Sequence, residues 1–351
     1  MQTYPAVTHL NFAKGFRGGE RQTFLLIKEL AKKGLQQQLF VRKNSKLTLR
    51  CKDIPNLRIV EISKPYIMHI PKLKASDILH AHETKALQFA YFASKTLSLP
   101  YIVTRRVDNP VTKNFFNKAL YKNASAVVAL SSAIKKEILK LDTHLHVKII
   151  PSAFSAMKLQ EENVARIQQQ FAGKFLAGHV GALDEKHKGQ SLIIDLARRV
   201  QKSHPDILFL LVGGGKDEEY LKNLAKDLPN VHFVGFVENV YDYIAAFDLF
   251  LFPSKNEGLG STLLDAMYLQ KPILASAVGG IVDLIENEKN GLLFPSGDLD
   301  AFTKQFFRLY ENENLRKSIA LNAAKRIEEY SPQNMADKYL KTYMEILERS
   351  K

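Results

Sequence analysis

The richest set of chemistry-bearing residues in this 351-residue chain lies in a glycine-rich loop after an apolar run. The run ends at Phe252-Pro253-Ser254, Glu257 and Gly258 lie in the loop, and a helical pattern carrying Asp265 begins near Gly260. A carboxylate beside the apolar side of a helix needs a hydrogen-bond donor, because unpaired burial costs free energy. Sugar or ribose hydroxyls would donate to both acids. The loop therefore predicts a site for a sugar or a nucleoside.

Two earlier segments combine glycines with basic residues. Gly18 and Gly19, flanked by Arg17 and Arg21, follow the first strand-like run and open a helical pattern. Without a Cβ in the way, backbone N–H groups at a helix N-terminus approach an anion closely, so this pair predicts a phosphate or sugar contact. An ordinary flexible turn is the alternative.

The second such segment is Gly181 followed by Lys188-Gly189. Lys188 is expected near the start of a helix, where its charge would add to the N-terminal dipole and hold a diphosphate. The spacing Gly178-x-x-Gly181 is half of a dinucleotide-binding pattern and is not specific. Gly213-Gly214-Gly215 follows a strong strand pattern and fits a plain turn equally well.

Histidine and arginine pairs end two neighbouring strand patterns in the first half. His80 and His82 would share one face of a strand, but a pair without a third ligand is poor evidence for a metal. Contact with a ligand hydroxyl is the preferred interpretation. Arg105 and Arg106 would lie at the same rim, where a solvated basic turn is the alternative.

Short apolar runs alternate with amphipathic stretches along the whole chain. The predicted strands are Ala6–Asn11, Gln38–Val41, Leu57–Ile62, Asp77–His80, Tyr101–Thr104, Ala126–Leu130, Val147–Ile150, Phe175–Gly181, Ile207–Gly213, Val231–Val234, Leu249–Phe252 and Pro272–Ser276. This alternation predicts an α/β fold of two doubly wound domains, with parallel sheets facing each other across a cleft. We place the domains at 1–156 and 171–332, with the polar stretch 157–170 as the linker.

Composition narrows the class of protein. Apolar residues make up 46% and charged residues 25%, which excludes a disordered chain. No apolar stretch approaches the roughly 18 residues of a membrane span, and no basic-then-apolar secretory signal opens the chain. Cys51 is the single cysteine, which excludes an intrachain disulfide and a thiolate metal cluster. These features predict a cytoplasmic protein.

The basic excess is confined to one half of the chain. Residues 1–160 hold 27 Lys and Arg against 9 Asp and Glu, a net charge of +18, whereas residues 161–351 have a net charge of −4. So basic a domain attracts polyanions such as nucleic acid, anionic lipid headgroups or phosphorylated glycans. Scattered surface lysines that serve solubility are the alternative.

In order, these motifs resemble the retaining, nucleotide-sugar-dependent glycosyltransferases of the GT-B fold, in the family 4 group. The resemblance spans nearly the whole chain and includes further segments at Val231-His232-Phe233-Val234-Gly235-Phe236, Gly279-Gly280-Ile281-Val282-Asp283, Asn290-Gly291-Leu292-Leu293-Phe294 and Tyr330-Ser331-Pro332. It implies two Rossmann-like domains, with a C-terminal helix over 333–351 that packs back on the first.

The resemblance also implies roles. Glu257 would contact the donor sugar, Lys188 the diphosphate, and His82 the reacting sugar, and we take these three as catalytic. Asp265 would bind the ribose hydroxyls. The other donor-binding residues would be Gly18, Gly19, Arg21, Gly181, Phe236, Val237, Gly258, Leu259 and Gly260, and the acceptor-side residues Arg105, Arg106 and Asp108. The chain departs from the family at Asp265, where Glu is usual, and at Ala182, where many members have Arg.

The implied reaction moves a sugar, with retention, from a nucleotide sugar to a glycan acceptor. A UDP-sugar donor and an acceptor in the lipopolysaccharide core or another cell-surface glycan are expected. The leaving diphosphate would help deprotonate the acceptor, and neither a metal nor another cofactor is expected. Asp298-Leu299-Asp300 mimics a metal motif, but Asp298 is predicted to cap a helix.

The sequence also leaves two alternative functions to consider and predicts one binding partner. A nucleotide-sugar epimerase or hydrolase of the same architecture would need an acid–base pair, for which Glu83 and Asp108 are candidates. A nucleic-acid-binding protein would explain the basic half, but the chain lacks a recognisable module, so no nucleic acid is expected. We instead expect peripheral association with the anionic inner face of the plasma membrane, through Arg105, Arg106 and a lysine cluster at Lys113, Lys118 and Lys122. The oligomeric state is not predicted.

Overall fold

The computed structural model describes residues 4–73 and 76–349. Contacts divide the chain into two compact units: residues up to Ser155 together with those from Tyr330 onward, and residues Ala156–Glu329. The stretch predicted as a linker, 157–170, belongs to the second unit. It contains the helix Glu161–Gln170, and the Gln160 amide donates to the Asp242 carboxylate of the same unit (2.9 Å). Polar composition alone did not reveal this anchoring.

The first unit is built on seven parallel strands. They are β1 Val7–Asn11, β2 Gln37–Arg42, β3 Leu57–Ile62, β4 Ile78–Ala81, β5 Tyr101–Arg105, β6 Ala126–Ala129 and β7 Val147–Ile149. Their order in the sheet is β3-β2-β1-β4-β5-β6-β7. The helices between them are α1 Gly18–Lys32, α2 Lys46–Cys51, α3 Thr84–Leu97, α4 Phe115–Lys122 and α5 Ser132–Leu139, with a 3-10 helix at Tyr66–Lys72.

Side-chain caps define where several of these helices begin. Glu83 accepts the Lys85 and Ala86 amides (2.7 and 2.8 Å) ahead of α3. Asn114 accepts the amide of Asn117 (2.7 Å) at the start of α4. Such caps satisfy backbone N–H groups that have no partner within the helix.

The second unit is built on six parallel strands. They are β8 Phe175–Val180, β9 Ile207–Val212, β10 Val231–Gly235, β11 Leu249–Phe252, β12 Ile273–Ser276 and β13 Leu292–Phe294. Their order is β10-β9-β8-β11-β12-β13. The helices are α6 Glu161–Gln170, α7 Glu185–Lys188, α8 Ser191–Val200, α9 Glu218–Leu224, α10 Val240–Ala246, α11 Ser261–Tyr268, α12 Ile281–Leu284, α13 Leu299–Glu311 and α14 Glu313–Ile327. Strand β13 was not predicted as a strand; its segment was noted only within the motif Asn290-Gly291-Leu292-Leu293-Phe294.

The C-terminal helix α15, Pro332–Glu348, belongs to the first unit. It packs on α1, and its buried Tyr339 and Tyr343 join the core that includes Ile78 and Ile102. The helix expected over 333–351 is therefore observed, up to the last described residues, against the first unit.

Both sheets reverse their strand order at one point. In the first sheet the order runs outward from β1 on one side and from β4 on the other, and in the second it runs outward from β8 and β11. Ligands of open parallel sheets bind outside the carboxyl ends of the strands at such points. Binding residues are therefore expected in the segments that follow these four strands.

Candidate active site

In the second unit, an ion pair lies at the reversal point of the sheet. Lys188 comes from the segment after β8 and Glu257 from the loop after β11, and their side chains are 22% and 15% exposed. The Lys188 Nζ also lies 5.3 Å from the centre of the Phe252 ring. The structure thus joins two predicted site residues that are 69 positions apart. It places Lys188 in the last turn of α7 rather than at the start of α8.

Backbone contacts hold this pair in position. The carbonyl of His187 accepts the amides of Lys255 and Asn256 (2.9 and 3.2 Å), which ties the loop to the end of α7. Gly189 has φ +64°, and a Cβ there would lie 2.4 Å from the Pro253 carbonyl oxygen, so only glycine permits this approach. The Glu257 carbonyl accepts the Gly280 amide (2.9 Å), which gives the Gly279-Gly280 motif a positioning role.

Asp265 has a partner within the protein. It is buried on α11 and accepts a hydrogen bond from the Tyr241 hydroxyl (3.0 Å). The carboxylate helps to raise the pKa of Tyr241, for which burial is the larger cause. The donor that sequence reasoning assigned to a sugar or ribose is thus a tyrosine here. Binding of ribose at Asp265 stays a prediction.

The other predicted donor-site residues fall into two groups. Gly258 and Leu259 are buried in the loop beside Glu257, and Gly260 has φ +90° at the start of α11. Phe236 is 81% exposed and, with the half-buried Val237, follows β10, which is an edge strand two positions from β8. The loop expected to hold the base is therefore on a different strand end from the ion pair.

Glycines near β8 have a structural reason in this chain. A Cβ on Gly213 would lie 2.0 Å from the Gly181 carbonyl oxygen, and one on Gly215 would lie 2.2 Å from that of Leu183. A Cβ on Gly178 would overlap the Phe247 ring at 2.1 Å. Gly213 and Gly215 of the triple glycine are thus sites of close backbone approach. Gly178, the first glycine of the Gly178-x-x-Gly181 spacing, makes room for the Phe247 ring in the core.

The first sheet carries a buried histidine network at its own reversal point. Gln37 donates through Nε2 to the Ile27 carbonyl (3.0 Å), so its Oε1 accepts from His9 Nε2 (3.0 Å). His9 Nδ1 then accepts from His82 Nε2 (3.0 Å). His82 Nδ1 accepts from the guanidinium Nη2 of Arg106 (3.1 Å). One continuous chain of hydrogen bonds therefore fixes the tautomers of both histidines.

The third histidine of this cluster is His80, which bonds the Tyr343 hydroxyl (2.7 Å) and the Thr104 hydroxyl (2.8 Å). Burial lowers the pKa of all three rings, that of His9 to about 4. The nitrogen atoms of His9, His80 and His82 that could bind a metal lie within 4.8 Å of one another. His9 is therefore the third potential metal ligand that the sequence had not offered beside His80 and His82. All six ring nitrogens have protein partners, however, and the Arg106 cation adjoins the cluster. These contacts favour a neutral hydrogen-bonded network over a cation site.

The predicted first-unit residues are mostly engaged within the unit. His82 uses both ring nitrogens, so contact with a sugar, which stays a prediction, would require one of these bonds to be exchanged. The Arg106 Nε is buried and has no hydrogen-bond partner among the described residues, and Cδ lies 3.4 Å from where a Cβ of Gly19 would be. Arg21 donates to the Ser155 hydroxyl (3.1 Å). Gly18 begins α1.

The remaining candidates lie at or just after the end of β5, or cap helices. Arg105 donates to the Asn109 carbonyl and to the Tyr121 hydroxyl (3.4 Å), and Asp108 is half-buried in the same loop. Glu83 accepts the capping hydrogen bonds of α3, so its carboxylate is engaged in the helix cap. The Glu83 and Asp108 acid–base pair that an epimerase or hydrolase would need is therefore less well supported. Asp298 accepts the Ala301 amide (2.9 Å), so its prediction as a cap is confirmed.

Sequence reasoning missed His9, Gln37 and Tyr241. A signal existed for His9, because it is a polar residue in a predicted strand, and strands buried on both faces are normally apolar throughout. Gln37 stands among other glutamines at the start of β2 and was not singled out by its sequence. Tyr241 resembles any aromatic residue of an amphipathic helix and gave no such signal.

Two family models match the chain in succession. The model described as Glycosyltransferase Family 4 matches residues 16–155, and the one described as Glycosyl transferases group 1 matches residues 160–326. The chain belongs to this glycosyltransferase family. The resemblance found in the motifs is thereby confirmed.

The matches between this glycosyltransferase and its relatives cover different shares of the relatives' length. It is 32% identical over 245 residues to an uncharacterized glycosyltransferase of Methanocaldococcus jannaschii, a match that covers 66% of this chain and 60% of the relative. It is 22% identical over 347 residues to the lipopolysaccharide core biosynthesis glycosyltransferase LpsE of Rhizobium meliloti, covering 95% of this chain and 97% of LpsE.

Solved structures show the fold of this glycosyltransferase. HepE of Anabaena, in a complex with UDP-glucose, superposes with a TM-score of 0.86 at 20% identity, covering 97% of this chain and 100% of HepE. The lipopolysaccharide outer core galactosyltransferase WaaB superposes with a TM-score of 0.72 at 17% identity, covering 99% of both chains. The predicted GT-B class, with two Rossmann-like α/β units, is confirmed. Among the described residues, every helix is too short or too polar to cross a membrane.

Proposed function

We propose that this protein transfers a sugar from a nucleotide sugar to a glycan acceptor, with retention of the anomeric configuration. The observation that carries the proposal is the Lys188–Glu257 pair at the reversal point of the second sheet. A cation and a carboxylate at the ends of β8 and β11 suit the two parts of such a donor, its diphosphate and its sugar hydroxyls.

In this proposal the side chains act by charge and orientation. Lys188 stabilises the negative charge that develops on the departing diphosphate, and Glu257 accepts hydrogen bonds from the sugar. The leaving diphosphate oxygen takes the proton of the acceptor hydroxyl, which attacks from the same face. No metal or other cofactor is required, because Lys188 supplies the positive charge.

The donor class is supported by the complex of HepE with UDP-glucose, and the acceptor class by the names of LpsE and WaaB. We infer a UDP-sugar donor and an acceptor of the lipopolysaccharide core or a related cell-surface glycan. The first unit, with Arg105 at the end of β5 and Arg106 and Asp108 after it, would bind the acceptor. We further propose that the protein works at the anionic cytoplasmic face of the membrane, because the first 160 residues carry a net charge of +18.

The test is incubation with UDP-, GDP- and ADP-sugars and a panel of lipopolysaccharide-core acceptors. Nucleotide release that depends on an acceptor, and a product whose anomeric configuration by NMR matches the donor, is the expected result. Inversion would overturn the retaining mechanism, and release without any acceptor would indicate a hydrolase. Loss of activity in EDTA, restored by Mn²⁺ or Mg²⁺, would overturn metal independence.

A further inference from the structure

Lys255, two residues before Glu257, extends across the turn that carries Lys188. Its ammonium group bonds the carboxylate of Glu185 (2.7 Å), which is the first residue of α7. A Cβ on Gly189 would lie 3.4 and 3.5 Å from Cγ and Cε of Lys255, so the aliphatic stem of this lysine packs on that glycine. The lysine therefore spans α7 from its first residue to the glycine that follows it.

The Glu185 carboxylate also binds the segment on the other side of Lys188 in the sequence. It accepts the backbone amide of Ser191 (2.8 Å) and the hydroxyl of the same serine (2.7 Å). Ser191 begins α8, and the first N–H groups of a helix have no partner within the helix. One carboxylate, on a side chain that is 14% exposed, thus joins α7, α8 and the loop after β11. We call Glu185, Ser191 and Lys255 the clasp.

The backbone that carries the clasp is held by the neighbouring strand end. The amide of Glu185 donates to the carboxylate of Asp217 (2.8 Å), which lies in the segment after β9. Asp184 pairs with Lys216 (3.3 Å) of the same segment. The Glu185 carboxylate is therefore presented from a backbone that contacts outside the clasp already fix.

The clasp also decides which lysine pairs with which acid. Lys188 bonds Glu257, while Lys255 lies only two residues before the same acid in the sequence. A lysine ammonium is a compact charge on a flexible stem, so its own chemistry would not keep Lys255 away from Glu257. Glu185 holds the Lys255 ammonium at α7 and neutralises its charge, which leaves Glu257 to Lys188.

We propose that Glu185 is a positioning residue for sugar transfer and acts through Lys188. The clasp fixes the turn with Lys188 against the loop with Glu257, so the donor meets a cation and a carboxylate that are already in place. Preorganised charges stabilise a departing group without reorganisation, and a misplacement of about 1 Å can lower a rate about 100-fold. The inference rests on the proposed function, because it deepens the account of the same donor site.

Calorimetry with UDP tests the proposal through a double-mutant cycle. Glu185→Ala should weaken UDP binding about tenfold while Lys188 is present, because the diphosphate loses a correctly placed cation. In the Lys188→Ala background the same change should weaken binding less than about twofold, since the group through which Glu185 acts is gone. Equal weakening in both backgrounds would indicate a general structural role and overturn the inference, as would no weakening in either.

Steady-state kinetics test the ion pair of the clasp. Glu185→Gln keeps an acceptor for Ser191 but removes the charge that holds Lys255, and Lys255→Met removes the same ion pair from the other side. Each variant should lower kcat/KM for the UDP-sugar about fivefold, and the double variant should lower it no further, because either change opens the clasp. Losses that multiply in the double variant would mean that the two side chains act independently, which would overturn the inference.

The matched control is Glu313→Ala, because Glu313 forms an ion pair with Lys317 (2.6 Å) on α14 of the same unit. It should leave UDP affinity and kcat/KM unchanged. Urea unfolding checks that each variant keeps the fold, and Glu185→Gln, which retains the contact with Ser191, provides the test if Glu185→Ala does not fold.

The outcomes separate this inference from the proposed function. Normal transfer and normal UDP affinity in the Glu185 variants would overturn the inference and leave the proposed function intact. Unchanged UDP affinity in Lys188→Ala would contradict the donor site of the proposed function itself, and the inference with it.

Discussion

The two sheets share one topology but place opposite chemistry at their reversal points. In the first, three histidines and Gln37 are buried and saturated with hydrogen bonds, and burial lowers the pKa of each ring, so they stay neutral. In the second, Lys188 and Glu257 are both charged residues, remain partly exposed and bond each other. The strand order creates the location in both cases. Burial then decides whether the groups there form a rigid neutral network or a charged pair that a ligand can exchange.

In the proposed mechanism sugar transfer depends chiefly on the second reversal point, so Glu257→Ala should have the largest effect. We expect a loss in kcat of at least about 100-fold, with little change in thermal stability, because the side chain lies on a partly exposed loop. Glu286→Ala, at an exposed acid elsewhere in the second unit, is the control and should retain activity. Near wild-type turnover in Glu257→Ala would refute our reading of the donor site.

Lowering the pH should reduce the stability of the first unit more than that of the second. The pKa of His9 is 6.5 in an unfolded chain and about 4 when folded, so at intermediate pH only the unfolded chain binds the proton. The free energy of unfolding therefore falls as the pH drops below 6.5 and levels off below about 4, by roughly 3 kcal/mol for such a ring. Three histidines with a lowered pKa lie in the first unit. Among the described residues of the second unit, burial lowers the pKa of His179 to about 4.

Hydrogen exchange at pH 7 and pH 5, read separately for each unit, tests this difference. Amides of the first unit should lose more protection at pH 5. His9→Gln should flatten the pH dependence of urea unfolding, and the exposed His144→Gln should not. Equal loss of protection in both units would contradict the prediction.

Lys188→Ala should weaken binding of UDP and of UDP-sugar together, by about 10- to 100-fold in Kd, because the proposed partner is the diphosphate that both share. Calorimetry gives the two constants. Lys222→Ala, which removes a lysine paired with Glu218 on α9, is the control. Weakened binding of the sugar nucleotide alone would reassign Lys188 to the sugar.

The smallest effect concerns Gln37, which anchors the histidine network. Gln37→Met removes the acceptor of His9 Nε2 and should lower the free energy of unfolding by about 1–3 kcal/mol, because a buried N–H loses its partner. UDP binding should not change. Urea unfolding and calorimetry on the same variant check both statements, and altered UDP affinity would mean that the two reversal points are coupled.

Much of the fold could be read from local patterns. The twelve predicted strands are present with small shifts at their ends, because buried parallel strands are short apolar runs. The glycines near β8 were noticed, but the reason for them was not, since the backbone that a Cβ on Gly213 would meet, at 2.0 Å, is the carbonyl of Gly181, 32 positions away. The stretch predicted as a linker lies in the second unit, where Asp242, far along the chain, accepts hydrogen bonds from the Gln160 amide and the Asn163 side chain.

By itself, the sequence determined the α/β class, the family, the basic first half and the loop that carries Glu257. These follow from residue types, their spacing and their order along the chain, without knowledge of which side chains meet. Only the tertiary structure decided which groups meet: Lys188 with Glu257, Asp265 with Tyr241, and His9 with His82 and Arg106. The reason is physical, because pairing, burial and protonation depend on neighbours that the parallel crossovers bring from distant parts of the chain, and no local pattern encodes them.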